Sequence, residues 1–432
     1  MRIVKRKTVE MNAKDWLFNL MIVLISLFTL AFYEWELFPI LASFAVLFIN
    51  ALAMIKVRKN WMLFIIAGVI FYSNYSIVFA NYLGEIESYF TTFSHEQVAV
   101  EGIAILLLFS MGLYLVLPKV PKKYVHCSLI KNNRYNLLFV IALCAVLVLI
   151  FIYGFGRPDM TGERGTPSPI YEYSIILFII AIYYSGKNRL LHVLLTGIMA
   201  LFALQNFIFG GRITGLQLII CWFLCFYINR LTVKKAVPIA IIGLLFLSII
   251  GDMRASFVIS LDTIKEVISR LMTKGGSLDT AYSSYFTSLT FILTKDTLSI
   301  WWRLNMFGRF LLSMVLGGSA ISNSNLPAYT RAYYLHYFGG ILPYYAYFYL
   351  GIFGIVLLFL YMKILFRLMV STNETSSGLA KCLAIYLTTS TFRWYLYGPS
   401  QLIRGALLCC VCYLFAEFIN NEIAKRTGRK NA

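Results

Sequence analysis

The chain has 432 residues, of which 60% are hydrophobic and only 13% are charged, and its formal net charge is +19. Soluble domains are about a quarter charged, so this composition excludes a soluble globular protein. A strongly basic chain can indicate nucleic-acid binding. Here, however, the lysines and arginines cluster in short segments between apolar runs, which is typical of the cytoplasmic loops of membrane proteins. We therefore expect no nucleic-acid partner.

Apolar runs of about 20 residues recur along the whole chain, and each can cross ~30 Å of hydrocarbon as a helix. This pattern predicts an all-α polytopic membrane protein with about twelve transmembrane helices. The predicted spans are 16–33, 37–55, 61–80, 98–117, 135–153, 170–185, 190–209, 213–229, 236–251, 341–362, 380–397 and 401–420. They divide the chain into residues 1–251 with spans 1 to 9, a large outer loop with amphipathic helices at 252–340, and residues 341–432 with spans 10 to 12 and a basic tail.

The distribution of basic residues predicts that both termini are cytoplasmic. In this orientation the inner segments contain 16 Lys and 9 Arg, whereas the outer segments contain 3 Lys and 10 Arg. Positive charge is therefore enriched inside, as in most multi-pass proteins. The outer segments also prefer arginine, whose planar guanidinium binds phosphate in a bidentate manner. This preference indicates an anion-binding outer surface, although single arginines of this kind also serve as interfacial anchors.

Four arginines form the predicted anion site. Arg212, Arg254, Arg393 and Arg404 each lie at the outer end of a different predicted span or hairpin, at the depth of the lipid headgroups. A charge at that depth is costly and usually faces a polar cavity. We therefore expect these residues to bind a lipid pyrophosphate, with Arg331 as a weaker member of the set.

The segment before predicted span 10 supplies the candidate catalytic residue. His336 lies among many tyrosines, and a histidine with a near-neutral pKa can remove a proton from an acceptor hydroxyl. Tyrosines present an apolar ring and a hydroxyl, so Tyr334, Tyr337 and Tyr344 are the predicted sugar contacts. The alternative for His336 is an interfacial histidine within a tyrosine belt.

Asp252 is the second catalytic candidate because it lies at a predicted membrane boundary, close to Arg254 in the sequence. A structural ion pair between the two is the alternative interpretation. The outer carboxylates are scattered and have no metal-ligand spacing. We therefore expect no metal site and no cofactor.

Three stretches carry a resemblance to a known family. They are IFGGRITGLQLII at 208–220, LHYFGGILPYYAYFYLGIFG at 335–354 and STFRWYLYGPSQLIRGALL at 390–408. Together with the layout of about a dozen spans and one dominant outer loop, they resemble bacterial O-antigen and oligosaccharide repeat-unit polymerases of the Wzy type. The related O-antigen ligases place a small polar residue after the histidine and a glycine about ten positions further on. This chain has Tyr337 and Tyr347 there, which favours a polymerase.

The resemblance implies a GT-C-like fold in the bacterial plasma membrane and a glycosyltransferase activity. A glycan on undecaprenyl pyrophosphate is the implied donor, a second lipid-linked repeat unit is the acceptor, and the product is a surface polysaccharide. Arg212, Arg254, Arg393 and Arg404 would hold the pyrophosphate, without a metal, and His336 or a neighbour would activate the hydroxyl. Membrane lipid, a chain-length regulator and a flippase are the other expected partners. A flippase or exporter of lipid-linked oligosaccharide and an O-antigen ligase are the alternative functions.

Overall fold

The computed structural model describes residues 13–84, 96–120, 128–130, 135–156, 166–209, 211–228, 279–336, 339–372 and 376–426, together with residues 238, 243, 265 and 269. Six helices in these ranges are long and apolar enough to cross a membrane. They are Phe38–Val57, Trp61–Leu83, Val98–Val116, Arg189–Phe209, Ile352–Ser371 and Ser400–Glu422. The protein is therefore an α-helical membrane protein, as the composition predicts.

In the described part of the chain, the helices follow one another and one pair of short strands forms a sheet. The first nine are α1 (Ala13–Ala31), α2 (Phe38–Val57), α3 (Trp61–Val78), α4 (Glu96–Val116), α5 (Leu137–Tyr153), α6 (Pro169–Glu172), α7 (Ser174–Ser185), α8 (Arg189–Phe209) and α9 (Arg212–Trp222). Strands β1 (Phe155–Gly156) and β2 (Thr166–Pro167) pair antiparallel between α5 and α6. The remaining helices are α10 (Asp279–Thr297), α11 (Ile300–Leu316), α12 (Leu326–Thr330), α13 (Leu342–Leu350), α14 (Ile352–Ser371), α15 (Gly378–Thr389), α16 (Thr391–Leu396) and α17 (Ser400–Arg426).

The chain forms two compact units. Unit 1 consists of Met1–Tyr124 and Ser277–Val370, and unit 2 consists of Val125–Gly276 and Ser371–Ala432. Each unit thus combines an early and a late part of the chain. The predicted span 236–251 and the predicted amphipathic helix that follows it lie outside the described residues, apart from isolated positions.

Helix α10 lies at the centre of unit 1, where it packs against α3, α4, α12 and α13. Its many Ser and Thr residues lower its hydropathy, so the sequence predicts this segment as part of a loop. In the structure the hydroxyls of Thr287, Ser288 and Thr294 donate to carbonyls four residues earlier in the same helix. Because these polar groups are hydrogen-bonded within the helix, their burial is tolerated.

The predicted span 341–362 is two helices rather than one. Helix α13 ends at Gly351, whose φ of 63° lies in the left-handed region that glycine adopts without strain. The Arg303 guanidinium of α11 donates to the Phe348 carbonyl at 3.0 Å, in the last turn of α13. The last carbonyl groups of a helix have no hydrogen-bond partner within the helix, so a cation near them stabilises the helix end. The second helix, α14, then continues to Ser371.

One partly buried ion pair links three helices of unit 1. The Lys295 ammonium of α10 lies 3.1 Å from the Glu101 carboxylate of α4 and 3.0 Å from the Tyr347 hydroxyl of α13, and that hydroxyl donates to Glu101 at 2.6 Å. Burial lowers the pKa of Lys295, but the contacts with Tyr347 and Glu101 act more strongly in the opposite direction and leave it raised. Lys295 is therefore charged at neutral pH.

Unit 2 is built from packed helices. Helix α7 packs against α5 and α15, α8 packs against α9, and α15 packs against α17. The predicted span 380–397 is also interrupted, since α15 ends at Ser390 and the short α16 follows. This break places irregular backbone near Arg393, one of the arginines predicted to bind pyrophosphate.

We predict that Glu101→Gln destabilises unit 1 because it leaves the Lys295 ammonium, 15% exposed, without its full counter-charge. Hydrogen bonds to charged groups contribute about 1.5–3 kcal/mol each, so the free energy of unfolding should fall by about that amount. Thermal unfolding in detergent measures the change. Asp296→Asn is the control, because the Asp296 side chain is 67% exposed and exposed ion pairs contribute little. Equal effects of the two variants would contradict this assignment.

Candidate functional site

Four consecutive hydroxyl residues shape the backbone that carries Arg393. Thr388, Thr389, Ser390 and Thr391 are all fully buried, and each hydroxyl donates to a carbonyl three or four residues earlier. Such bonds satisfy the hydroxyls but weaken and bend the helix. The break between α15 and α16 falls at Ser390, within this run.

Arg393 is held by contacts on three sides. Its Nη1 donates to the Glu172 carboxylate at 2.7 Å, and its Nη2 donates to the Thr214 hydroxyl. Its guanidinium also lies over the Tyr397 ring, 6.0 Å from the ring centroid. The Arg393 side chain is only 14% exposed. The planar guanidinium donates to Glu172 and Thr214 from two different nitrogens, and a lysine ammonium cannot reproduce this geometry.

Glu172 reaches Arg393 because a single helical turn precedes α7. Ser168 caps the start of α6 by accepting a hydrogen bond from the Tyr171 amide, and Pro169 occupies the first turn. Serine at the cap followed by proline is a favourable helix start. Helix α6 ends after Glu172, and α7 begins at Ser174. The carboxylate is thus placed at the junction of the two helices.

Tyr173, at the same junction, brings Arg404 into the site. Tyr173 lies near both Arg404 and Arg393. The Tyr386 hydroxyl donates to the Gln401 side-chain oxygen at 3.2 Å. Arg404 and Gln401 belong to the first turns of α17, and Arg404 is half-buried. The charges of two arginines therefore act on one phenol beside one carboxylate.

The turn between α8 and α9 places Arg212 next to this cluster. Arg212 is the first residue of α9, and Thr214, two residues later, contacts Arg393. A Cβ at Gly211 would lie 2.2 Å from the Asn206 Oδ1 atom. Asn206 is fully buried and donates to Phe202 and Tyr171, so it is fixed in place. Glycine is required here by this close approach.

The Gly211 amide makes a hydrogen bond within the turn rather than to an anion. Its N–H donates to the Asn206 carbonyl at 2.7 Å, so this amide is used within the turn. Arg212 itself is half-buried at the N-terminus of α9. The positive end of the helix and the guanidinium together favour an anion near this point.

Three of the four arginines predicted to bind pyrophosphate thus lie in one region of unit 2, namely Arg212, Arg393 and Arg404. Among the described residues of this region, the positive charges of the arginines exceed the one negative charge of Glu172, and such an excess favours anions. Arg254 and Asp252 lie outside the described residues. Arg331 belongs to unit 1, where it is exposed at the end of α12.

The structure places His336 differently from the sequence-based prediction of an outward acid–base residue. The ring is 1% exposed, with Nε2 2.9 Å from the Thr330 hydroxyl and Nδ1 3.4 Å from the Thr287 hydroxyl. A general base must reach the proton that it removes. The geometry instead makes His336 a buried connection between α10 and α12 within unit 1.

The predicted sugar contacts also differ in their surroundings. Tyr344 is fully buried, and its hydroxyl donates to the Gly102 carbonyl at 2.7 Å. This hydroxyl supports helix packing and is not presented to a sugar. Tyr334 is half-buried beside the exposed Tyr333, and Tyr337 lies outside the described residues. Of the three predicted tyrosines, only Tyr334 is described in a partly accessible position.

Sequence reasoning missed Glu172, Tyr173, Thr214 and Gln401. Glu172 had a usable signal, because it is an acidic residue inside an apolar run, where ionisable residues are costly and normally have a partner. The polar residues Thr214 and Gln401 had no such signal. Their roles depend on which helices pack together, which spacing along the chain does not reveal.

Within the described ranges, no group of three or more His, Cys, Asp or Glu side chains is arranged to hold a metal ion. The charged groups described around Arg393 are arginines and a single carboxylate. Such a set binds anions through hydrogen bonds and charge.

No protein-family model matches the chain, and neither a curated protein nor a solved structure does.

We predict that Arg393→Lys destabilises unit 2 although it keeps the positive charge. Lysine cannot reproduce the two directed contacts with Glu172 and Thr214, and lost hydrogen bonds to charged groups cost about 1.5–3 kcal/mol. Thermal unfolding in detergent should show a lower midpoint. Arg189→Lys is the control, because Arg189 is exposed in the first turn of α8, at the opposite end of that helix. A stability of Arg393→Lys equal to that of this control would refute the anchoring role.

We also predict that Gly211→Ala destabilises the α8–α9 turn, since the new Cβ would meet the fixed Asn206 side chain. Overpacking of this kind costs about 1–3 kcal/mol. Gly197→Ala is the matched control in α8, because a Cβ there meets nothing within 4 Å. Alanine is the better helix former, so the control should be neutral or slightly stabilising. The turn assignment fails if the two variants unfold at the same temperature.

Proposed function

We propose that this protein is a glycosyltransferase that joins undecaprenyl-pyrophosphate-linked oligosaccharide repeat units into a surface polysaccharide. The observation that supports this proposal best is the arginine region of unit 2. There, Arg393 is fixed by Glu172 and Thr214, while Arg212 and Arg404 lie on the neighbouring helix ends. A pyrophosphate carries two to three negative charges and suits several guanidinium groups at headgroup depth.

In this proposal the shorter apolar helices complete a set of about twelve spans in a GT-C-like arrangement. The protein lies in the bacterial plasma membrane with both termini in the cytoplasm, so the arginine region faces the outer side. The O-antigen, a capsule or an exopolysaccharide is the product. A flippase supplies the lipid-linked units, and a chain-length regulator acts with the polymerase.

The reaction proposed is a direct glycosyl transfer. The hydroxyl at the non-reducing end of the acceptor attacks the anomeric carbon of the donor, and the bond to the pyrophosphate breaks. Negative charge develops on the departing undecaprenyl pyrophosphate, where Arg212, Arg393 and Arg404 stabilise it electrostatically. Asp252 is the proposed carboxylate near the reacting centre, where it accepts the proton of the attacking hydroxyl.

Arg404 makes the sharper test, because Arg393 also stabilises the fold. We predict that purified protein extends a lipid-linked repeat unit into a glycan ladder on a gel. Arg404→Ala and Arg212→Ala should each lower the rate of extension at least tenfold, because each variant lacks a guanidinium that stabilises the leaving group. Arg189→Ala, at the far end of α8, is the matched control and should leave the ladder unchanged. Thermal unfolding of each variant excludes loss of fold as the cause.

Two outcomes would contradict the polymerase proposal, and a third would contradict its assignment of the pyrophosphate site. A substrate that crosses liposome bilayers without forming a ladder would indicate an exporter. Transfer of a single glycan to a non-repeat acceptor would indicate a ligase. A ladder that is equally strong in Arg404→Ala and Arg212→Ala would show that the arginine region is not the pyrophosphate site.

A further inference from the structure

An apolar groove lies between α8 and α9 in unit 2. It has a volume of about 170 Å³, is open along one side, and is lined by Met199, Ala200 and Ala203 of α8 and by Leu218 and Trp222 of α9. Complete small-molecule sites have volumes of about 300–1,000 Å³, so this groove can hold only part of a ligand. Nothing in the pyrophosphate assignment above uses this groove.

The groove is shaped by the short side chains of α8 and by one fixed aromatic ring. Ala200 is exposed and Ala203 lies at the groove wall, so the α8 surface is recessed between them. The Trp222 indole N–H donates to the Thr196 hydroxyl at 3.1 Å, which fixes the ring at the other wall. This contact satisfies the polar atoms of both residues. What remains open to a ligand is therefore apolar.

The groove lies on the same side of α9 as the residue that contacts Arg393. Thr214, which contacts Arg393, is followed at intervals of four residues by Leu218 and Trp222, and this spacing places all three on one side of the helix. With a rise of about 1.5 Å per residue, Leu218 and Trp222 lie about 9 and 15 Å along the helix from Arg212. The groove thus begins one to two turns from the charged end and runs away from it.

This arrangement fits an amphiphile with a strongly anionic head and a single apolar chain. Half of a typical hydrocarbon layer is about 15 Å thick, which matches the distance from Arg212 to the far end of the groove. A phospholipid has one phosphate and two chains. The observed site offers several guanidinium groups and one groove, which suits a diphosphate with one chain.

We infer that the α8–α9 groove binds the isoprenoid chain of a polyprenyl diphosphate, at the units nearest the diphosphate, while Arg212, Arg393 and Arg404 bind the diphosphate itself. This inference rests on the proposed function and assigns the tail-binding part of the same site. In this arrangement α8 and α9 position the lipid, and the bound isoprenoid chain holds the leaving group in place before transfer.

The test compares two ligands that share a diphosphate, a long-chain polyprenyl diphosphate and inorganic pyrophosphate. Ala200→Phe fills the groove and should weaken binding of the polyprenyl diphosphate about tenfold or more, because buried apolar surface is lost. Binding of inorganic pyrophosphate should not change. Leu204→Phe is the matched control, since Leu204 is 53% exposed on α8 and does not line the groove.

A second measurement does not depend on filling the groove. A polyprenyl diphosphate with a photoreactive group on the first isoprene units should label Met199 or Trp222 in the wild-type protein, and excess unlabelled ligand should prevent it. Labelling of other helices only, or unchanged binding in Ala200→Phe, would overturn the groove assignment. If Arg404→Ala still weakens pyrophosphate binding in that case, the proposed function survives. If the wild type binds neither ligand, both proposals fail.

Discussion

The contact of Arg393 with Glu172 and Thr214 is the interaction on which the functional region of unit 2 depends. It joins three parts of the chain that are far apart in sequence: the α6–α7 junction, the first turn of α9, and the short helix α16. An arginine in an apolar surrounding is stable only when its donors are satisfied. Glu172 and Thr214 satisfy two of them, and the arrangement also brings Tyr173, Gln401 and Arg404 together. The same contact therefore stabilises the fold and brings together the region proposed to bind an anion.

Two breaks in the helices of unit 2 make this contact possible. The hydroxyl run that ends at Thr391 interrupts one hairpin helix, and the close approach of Gly211 to Asn206 permits a very short connection between α8 and α9. Each break moves an arginine from the side of a long helix to the end of a short one. There the side chain reaches other helices, and the backbone dipole of α9 adds to its positive charge.

The sequence was sufficient to predict the helical membrane class, because hydropathy is read directly from residue types. The choice of Arg212, Arg393 and Arg404 as pyrophosphate ligands stays a prediction that rests on rare charges in apolar sequence. The sequence was insufficient for α10, whose buried serines and threonines look like loop residues until their hydroxyls are seen to bond within the helix. It was also insufficient for Tyr344 and His336. Both resemble exposed functional groups in the sequence, yet tertiary packing buries them against Gly102, Thr287 and Thr330.

The proposed function depends most on the binding of a lipid diphosphate to the arginine region of unit 2. Its most direct test is the dissociation constant of a polyprenyl diphosphate for wild-type protein and for Arg404→Gln, measured at low and high salt. At low salt we expect the wild type to bind about tenfold or more tightly than the variant, and we expect this advantage to shrink as salt screens the charges. Equal dissociation constants at low salt, or an advantage that salt does not reduce, would contradict the proposal.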